Sequence, residues 1–319
     1  MIYELLWTGG FDSTFRLCQL AREECVVQPY YVVHPLRKSV GNEMEAHRRI
    51  LSWLGGKGVK AEIRPVRYVR FEDVPDNLSV SDAYARIRKT WDIGGQYEWL
   101  ARFAVSRPGV ELCHEGFVNR QGTLGKLIDT AVKREDALGR VCIDTERSDR
   151  DLSLVFGSYL FPVIGLNNVQ MLGMLKEWGM DDVVGLVSFC DSGLGENCGV
   201  CVSCRGKLST GIFGNLFTEK AKRRYRIYNF LGGLRYVSLF FARKGDARFL
   251  QMMYFLYVVR DVGMFNSLLR FDPSVSWVFR VLFGRLDGLD SEGLEKFFSC
   301  CLTERDLFLS VGFDVCGLF

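Results

Sequence analysis

The sequence predicts a doubly wound α/β fold, a parallel sheet with helices on both faces, followed by an α-helical extension. Three observations point there. Strand-like and helix-like segments alternate through the first two hundred residues. The early strand candidates are continuous apolar runs, as strands buried on both faces require. Beyond Cys204 the apolar spacing becomes three and four, and strand signals are few.

Taken in order, residues 2–7 form a short apolar run that stops at Thr8-Gly9-Gly10, as a buried strand leaving a sheet would. Residues 12–22 follow with Phe15, Leu17, Leu20 and Ala21 at near-helical spacing. Residues 26–33 are rich in valine and tyrosine and read as a second buried strand. Residues 42–54 read as a helix with a charged face. Residues 60–64 and 110–114 are the third and fourth strands, with a helix at 97–105 between them, and 167–178 is a further amphipathic helix. From Phe217 onward, breaks at 243–246, 271–276 and 287–291 divide the chain into four or five helices. The expected organisation is a nucleotide-binding domain at 1–208, carrying a cysteine loop at 190–204, and a helical extension at 209–319.

Composition bounds the function classes. Hydrophobic residues make up 48% and charged residues 25%, which excludes a disordered chain. The net charge is +3, but residues 205–319 carry 17 Lys and Arg against 11 Asp and Glu, so the basic surplus lies there. This permits an acidic partner without requiring one. The most apolar run, residues 249–259, is closed by Arg248 and Arg260 and is shorter than the roughly 20 residues a bilayer span needs. It reads as a buried helix, and no membrane association is expected. No basic stretch followed by an apolar core opens the chain, so no signal peptide is expected and a cytoplasmic location is. In that reducing setting, the clustered members of the 11 cysteines are expected to bind metal rather than to form disulfides.

The string Trp7-Thr8-Gly9-Gly10-Phe11-Asp12-Ser13-Thr14 carries the first chemistry. A strand that ends in two glycines and turns directly into a helix exposes backbone N–H groups, and the helix dipole adds partial positive charge at the same point. Ser13 and Thr14 can donate hydroxyl hydrogen bonds to phosphate oxygens, and Asp12 can orient Mg²⁺. The plain alternative is a strand–helix turn capped by Asp12 or Ser13. The GxxxxGK[ST] string of kinases and GTPases does not occur.

The second chemistry is Cys190-x7-Cys198-x2-Cys201-x2-Cys204. Four thiolates at these separations can close a tetrahedral Zn²⁺ site, and because no coordination position stays open the role is structural. An iron–sulfur cluster or a redox pair is the rival reading.

The loop at Thr8–Thr14 resembles the Ser-Gly-Gly-x-Asp-Ser loop of the PP-loop ATP pyrophosphatases, with Thr8 in place of the first serine. That likeness implies a Rossmann-like PP-loop (HUP-type) domain. It also implies that Thr8, Gly9, Gly10, Phe11, Asp12, Ser13 and Thr14 bind ATP and Mg²⁺ while a substrate oxygen attacks the α-phosphorus, with Asp12 and Ser13 as the catalytic residues. Together with the cysteine loop, above all Cys198-Gly-Val-Cys-Val-Ser-Cys-Arg205, and with Phe161-Pro162 ahead of it, the chain resembles 7-cyano-7-deazaguanine synthases over residues 1–208. The resemblance implies an ATP-dependent C–N ligase of queuosine biosynthesis that activates a 7-deazaguanine carboxylate as an acyl-adenylate for amide or nitrile formation. Zinc would be held by Cys190, Cys198, Cys201 and Cys204. Two places depart from the family pattern. The family's lysine position reads Gly165-Leu166-Asn167-Asn168, and its Ala-Arg-Asn reads Gly94-Gly95-Gln96.

Three other functions stay open. One is a paralogue in antiviral defence that joins a deazaguanine to a protein. Another is a tRNA-modifying enzyme in which Cys113 is the candidate catalytic thiol, and the third is a non-catalytic nucleotide-binding partner. Expected partners are a small-molecule 7-deazapurine, a protein docked on the C-terminal helices, and a second copy of the chain. Nucleic acid is less favoured, since the basic run at 220–226 reads first as a solvated helix face. Glu43 and Glu45 read as charged surface, His47 and His114 as satisfied surface or cleft residues, and Trp91 and Trp99 as core residues.

Overall fold

In the computed structural model, residues 1–114, 123–192, 197–226 and 228–229 are described. The chain divides into two compact units, Met1–Glu196 and Asn197–Phe319. The first unit opens with β1 (Ile2–Leu6), α1 (Phe11–Ala21), β2 (Val26–Val33), α2 (Val40–Gly55), β3 (Glu62–Ile63), β4 (Arg67–Arg70), α3 (Leu78–Arg88), α4 (Gln96–Val105) and β5 (Val110–Glu111). It continues with α5 (Thr123–Asp129), the antiparallel pair β6 (Lys133–Glu135) and β7 (Val141–Ile143), α6 (Arg150–Phe156), β8 (Tyr159–Leu160) and α7 (Asn168–Glu177).

The main sheet runs β3-β2-β1-β5-β8 with β4 also on β2, and every pairing in it is parallel. Parallel neighbours need crossovers, which the intervening helices supply. The result is a Rossmann-like α/β unit, as the alternation of segments predicts. Side chains alternate across the strands. Leu6, Tyr30 and Val32 enter a cluster with Val80, Ala83 and Ile87 of α3, Phe103 of α4, Leu127 of α5 and Phe156 of α6. On the other face Trp7 and Tyr31 meet His47 of α2, and Phe15 of α1 stacks on Trp178 just past α7. Among the described residues no helix is long and apolar enough to cross a membrane.

Pro29 lies in the middle of β2, where a missing N–H normally breaks a ladder. Trp7 N–H donates to Tyr30 O, so even-numbered residues of β2 face β1. Arg64 N–H donates to Val27 O, so Pro29 faces the other side, where the partner strand changes from β3 to β4. Gln28 Nε2 fills that gap with hydrogen bonds of 3.1 Å to Pro29 O and Pro65 O.

Glu111, fully buried in β5, receives Arg16 Nε at 2.8 Å and Nη2 at 2.7 Å from α1, and Arg140 Nη1 at 3.3 Å. A bidentate pair of this kind ties the helix after β1 to the strand beside it. Removing one partner of a buried pair costs about 3–5 kcal/mol because the other charge is stranded.

The expected helices at 12–22, 42–54, 97–105 and 167–178 and the strands at 2–7, 26–33, 60–64 and 110–114 all have counterparts here. β4, α3, α5, the β6–β7 hairpin, α6 and β8 were not anticipated. In the second unit, α8 (Val202–Ser209) and a helical stretch over 219–226 are described. The remaining expected helices of the extension, the apolar run at 249–259 and Cys300-Cys301 lie outside the described residues.

Candidate functional site

The order of the strands creates the site. The chain leaves β1 for β2 on one side and returns to β5 on the other, so the loops after β1 and β5 diverge. In open α/β sheets a ligand crevice forms at the carboxyl ends of the strands where the order reverses. Here that crevice is a cleft of about 140 Å³, comparable to a cavity of about 150 Å³ that accepts one aromatic ring. It is lined by Trp7 and Thr8 from the β1–α1 turn, Ser13 of α1, Tyr30 and Tyr31 from β2, Arg37, then Gln96, Tyr97 and Trp99 at α4, and Leu112 and Cys113 after β5.

The β1–α1 turn is shaped by its glycines. Gly9 has φ of 72°, and a Cβ there would come within 3.0 Å of Ala46 Cβ and 3.3 Å of Glu43 O, so α2 leaves no space for a side chain. Ser188 N–H donates to Gly9 O at 2.8 Å and fixes the turn from the other side. Gly10 is the N-cap of α1 and supplies no capping side chain. The first bond of the helix is Thr14 N–H to Gly10 O, so the N–H groups of Phe11, Asp12 and Ser13 precede the helical ladder. A helix N-terminus of this kind can accept an anion.

The individual residues divide by exposure. Thr8 is exposed and Asp12 half-buried at the mouth of α1. Ser13 lines the cleft, with its hydroxyl 3.4 Å from Gly10 O. Phe11 and Thr14 are buried, and Thr14 Oγ1 accepts the Trp7 indole N–H at 3.0 Å. Of the two hydroxyls proposed for phosphate, Ser13 reaches the cleft, while Thr14 anchors the turn to the end of its strand.

Two features run against the sequence reading. Glu43 is not a surface charge. It is 4% exposed and accepts Tyr31 Oη at 2.5 Å, Ser39 Oγ at 2.8 Å, and Arg37 Nη2 and Nε at 2.6 and 3.0 Å. Desolvation, with Glu43 alongside, pushes the Tyr31 phenol well up, so it acts as a neutral donor. Arg37 went unnoticed because its partner lies six residues away across a turn; the local signal was a basic residue where β2 meets α2. Arg37 Nη1 also donates to Gln96 Oε1 at 2.9 Å, at the first residue of α4. Glu45, by contrast, is the surface residue expected, paired with Arg48.

Burial also sets the state of other groups here. Tyr97 is pushed up to about 12 by desolvation. Cys113 is raised well above its usual value by desolvation and then by the Glu111 charge, so it is a thiol and not a thiolate. Trp99 belongs both to the core and to the cleft wall, stacked against His34. Asn167 and Gln170 form a capping box at the start of α7, and this helix entrance is uncharged.

The four cysteines of the second motif come together. The sulfurs of Cys190, Cys198, Cys201 and Cys204 lie within 4.8 Å of one another and all four residues are buried. Cys198 Sγ and Cys204 Sγ are 3.9 Å apart, too far for a disulfide and close to the edge of a tetrahedron with metal–sulfur bonds of about 2.3 Å. Backbone N–H groups of Val200 and Cys201 point at Cys198 Sγ at 3.4 and 3.3 Å, and Cys204 N–H points at Cys201 Sγ at 3.4 Å. Such donors favour thiolates. Gly199 has φ of 84°, and a Cβ there would overlap the Ala221 carbonyl. The donor set and spacing fit a metal ion such as zinc.

His47, read from the sequence as a surface or cleft residue, is instead 1% exposed, its ring tilted by 33° to that of Trp7 with centroids 4.4 Å apart and its Nδ1 3.3 Å from Tyr68 Oη. Desolvation lowers it from 6.5 to about 4, against a smaller opposing effect of Glu43. Between these pH values the unfolded imidazole binds more protons than the folded one, so stability is full above pH 6.5 and falls as pH drops toward 4. Denaturant titrations are expected to lose up to about 3 kcal/mol over this window, and His47→Leu removes that component of the slope. An identical slope in the variant contradicts the neutral buried histidine. No protein-family model matches the chain, and a search of curated proteins finds no match.

Proposed function

We propose that the chain is an ATP-dependent adenylating enzyme of the PP-loop ATP pyrophosphatase type, similar to 7-cyano-7-deazaguanine synthase. The observation that carries this reading is the Gly9-Gly10 turn at the point where the strand order reverses, opening α1 toward a cleft. In this reading the N–H groups of the first turn and Ser13 Oγ bind the pyrophosphate of ATP, and Asp12 holds Mg²⁺. Preorganised donors at that place stabilise charge as it builds on the leaving pyrophosphate.

The acceptor is a 7-deazaguanine carboxylate, whose oxygen attacks the α-phosphorus to give an acyl-adenylate and pyrophosphate. Ammonia then displaces AMP to give the amide, and a second ATP-driven activation dehydrates the amide to the nitrile. Activation supplies the leaving group that a carboxylate lacks, and the cleft excludes water from the adenylate. The ring-sized opening walled by Trp7, Tyr31, Tyr97 and Trp99 supports a planar heterocycle. The rival tRNA-thiolation reading needs a reactive thiol at Cys113, and its raised pKa weighs against that.

Exchange of labelled pyrophosphate into ATP, dependent on 7-carboxy-7-deazaguanine and Mg²⁺, is the direct test. Wild-type protein is expected to exchange, and Ser13→Ala to slow exchange about a hundredfold, the scale for losing one oxyanion donor. Absence of both exchange and AMP with any deazaguanine acid sinks the reading.

We further propose that the cysteine cluster holds structural Zn²⁺. Elemental analysis of purified protein is expected to find one zinc per chain, and Cys201→Ser to reduce both zinc content and thermal stability. Iron with sulfide in place of zinc, or no metal at all, would contradict this.

A further inference from the structure

We propose that Arg37 is the cation that meets the phosphate charge of a nucleotide held by the β1–α1 turn. This rests on the reading of that turn as a phosphate cradle. A pyrophosphate group needs more positive charge than backbone N–H groups supply, and among the described residues lining the cleft Arg37 is the single charged side chain.

The guanidinium is fixed in place. Its side chain is 23% exposed, and the side chain of its partner Glu43 is 5% exposed. Its Nε and Nη2 bond Glu43 Oε1, its Nε also approaches Ser39 Oγ at 3.1 Å, and its Nη1 bonds Gln96. These bonds occupy three of the five N–H groups, leaving one on each terminal nitrogen for a ligand. Glu43 also couples Arg37 to the turn. Its carboxylate holds the guanidinium while its backbone carbonyl lies under Gly9, so one residue of α2 positions both halves of the anion site. Held by two further donors, Tyr31 Oη and Ser39 Oγ, Glu43 fixes the arginine's direction, and a bound phosphate adds charge on the open side.

Calorimetric titration of the full chain with inorganic pyrophosphate and Mg²⁺, with ATP and with adenosine tests this. Arg37→Gln is expected to weaken pyrophosphate and ATP at least tenfold and to leave adenosine unchanged, while Arg37→Lys keeps part of the affinity. The double variant Arg37→Gln with Glu43→Gln removes the pair together and avoids a stranded buried carboxylate. It is expected to bind pyrophosphate as weakly as Arg37→Gln. A double variant that recovers wild-type affinity overturns the proposal, since Arg37 would then only neutralise Glu43. Wild-type binding matched by Arg37→Gln also overturns it and leaves the phosphate cradle standing. Failure of wild-type protein to bind pyrophosphate or ATP sinks the cradle and Arg37's role with it.

Discussion

The position of β1 at the centre of a parallel sheet is the constraint from which the site follows. Leu5 pairs with Pro29 on one side and with Glu111 on the other. Because both pairings are parallel, the chain turns away in opposite directions after β1 and after β5, and the turn at Trp7–Gly10 is left over an opening. The buried Arg16–Glu111 pair holds α1 against β5, so the helix N-terminus cannot drift from that opening without separating two buried charges.

α2 is the second support. It packs Ala46 and His47 under Gly9 and sends the Glu43 carboxylate to Arg37 and Tyr31. The neutral state of His47 matters in this arrangement. A charged imidazole against the Trp7 ring would be desolvated without a carboxylate bonded to it, and burial keeps it uncharged down to about pH 4. The turn is thus floored by an uncharged ring, and among the described residues lining the cleft Arg37 is the one charged side chain.

Much of this was legible in the sequence where the signal was local. The apolar runs of β1 and β2, the Gly-Gly break and the three-and-four spacing of α1 each depend on neighbours in the chain, as does the cysteine spacing. Strand β8 is two residues long, and β4 reads Arg-Tyr-Val-Arg, with Tyr68 and both arginines exposed. Neither carries enough apolar pattern to declare itself, and only the sheet pairing defines them. α3 is capped by Asn77, whose side chain accepts Val80 N–H, and the sequence reading passed over this helix. Glu43 was misread for a similar reason. Its charge suggested solvent, and the three donors that bury it come from β2, from the turn after it and from the helix cap.

Hydrogen exchange of the full chain with and without Mg²⁺ and pyrophosphate tests the central claim, that the turn after β1 is a phosphate cradle. The account predicts slowed exchange over residues 8–14 and unchanged exchange in α3 and α6, which lie away from the cleft. Slowing confined to other segments, or none at residues 8–14 at a saturating concentration, would contradict it.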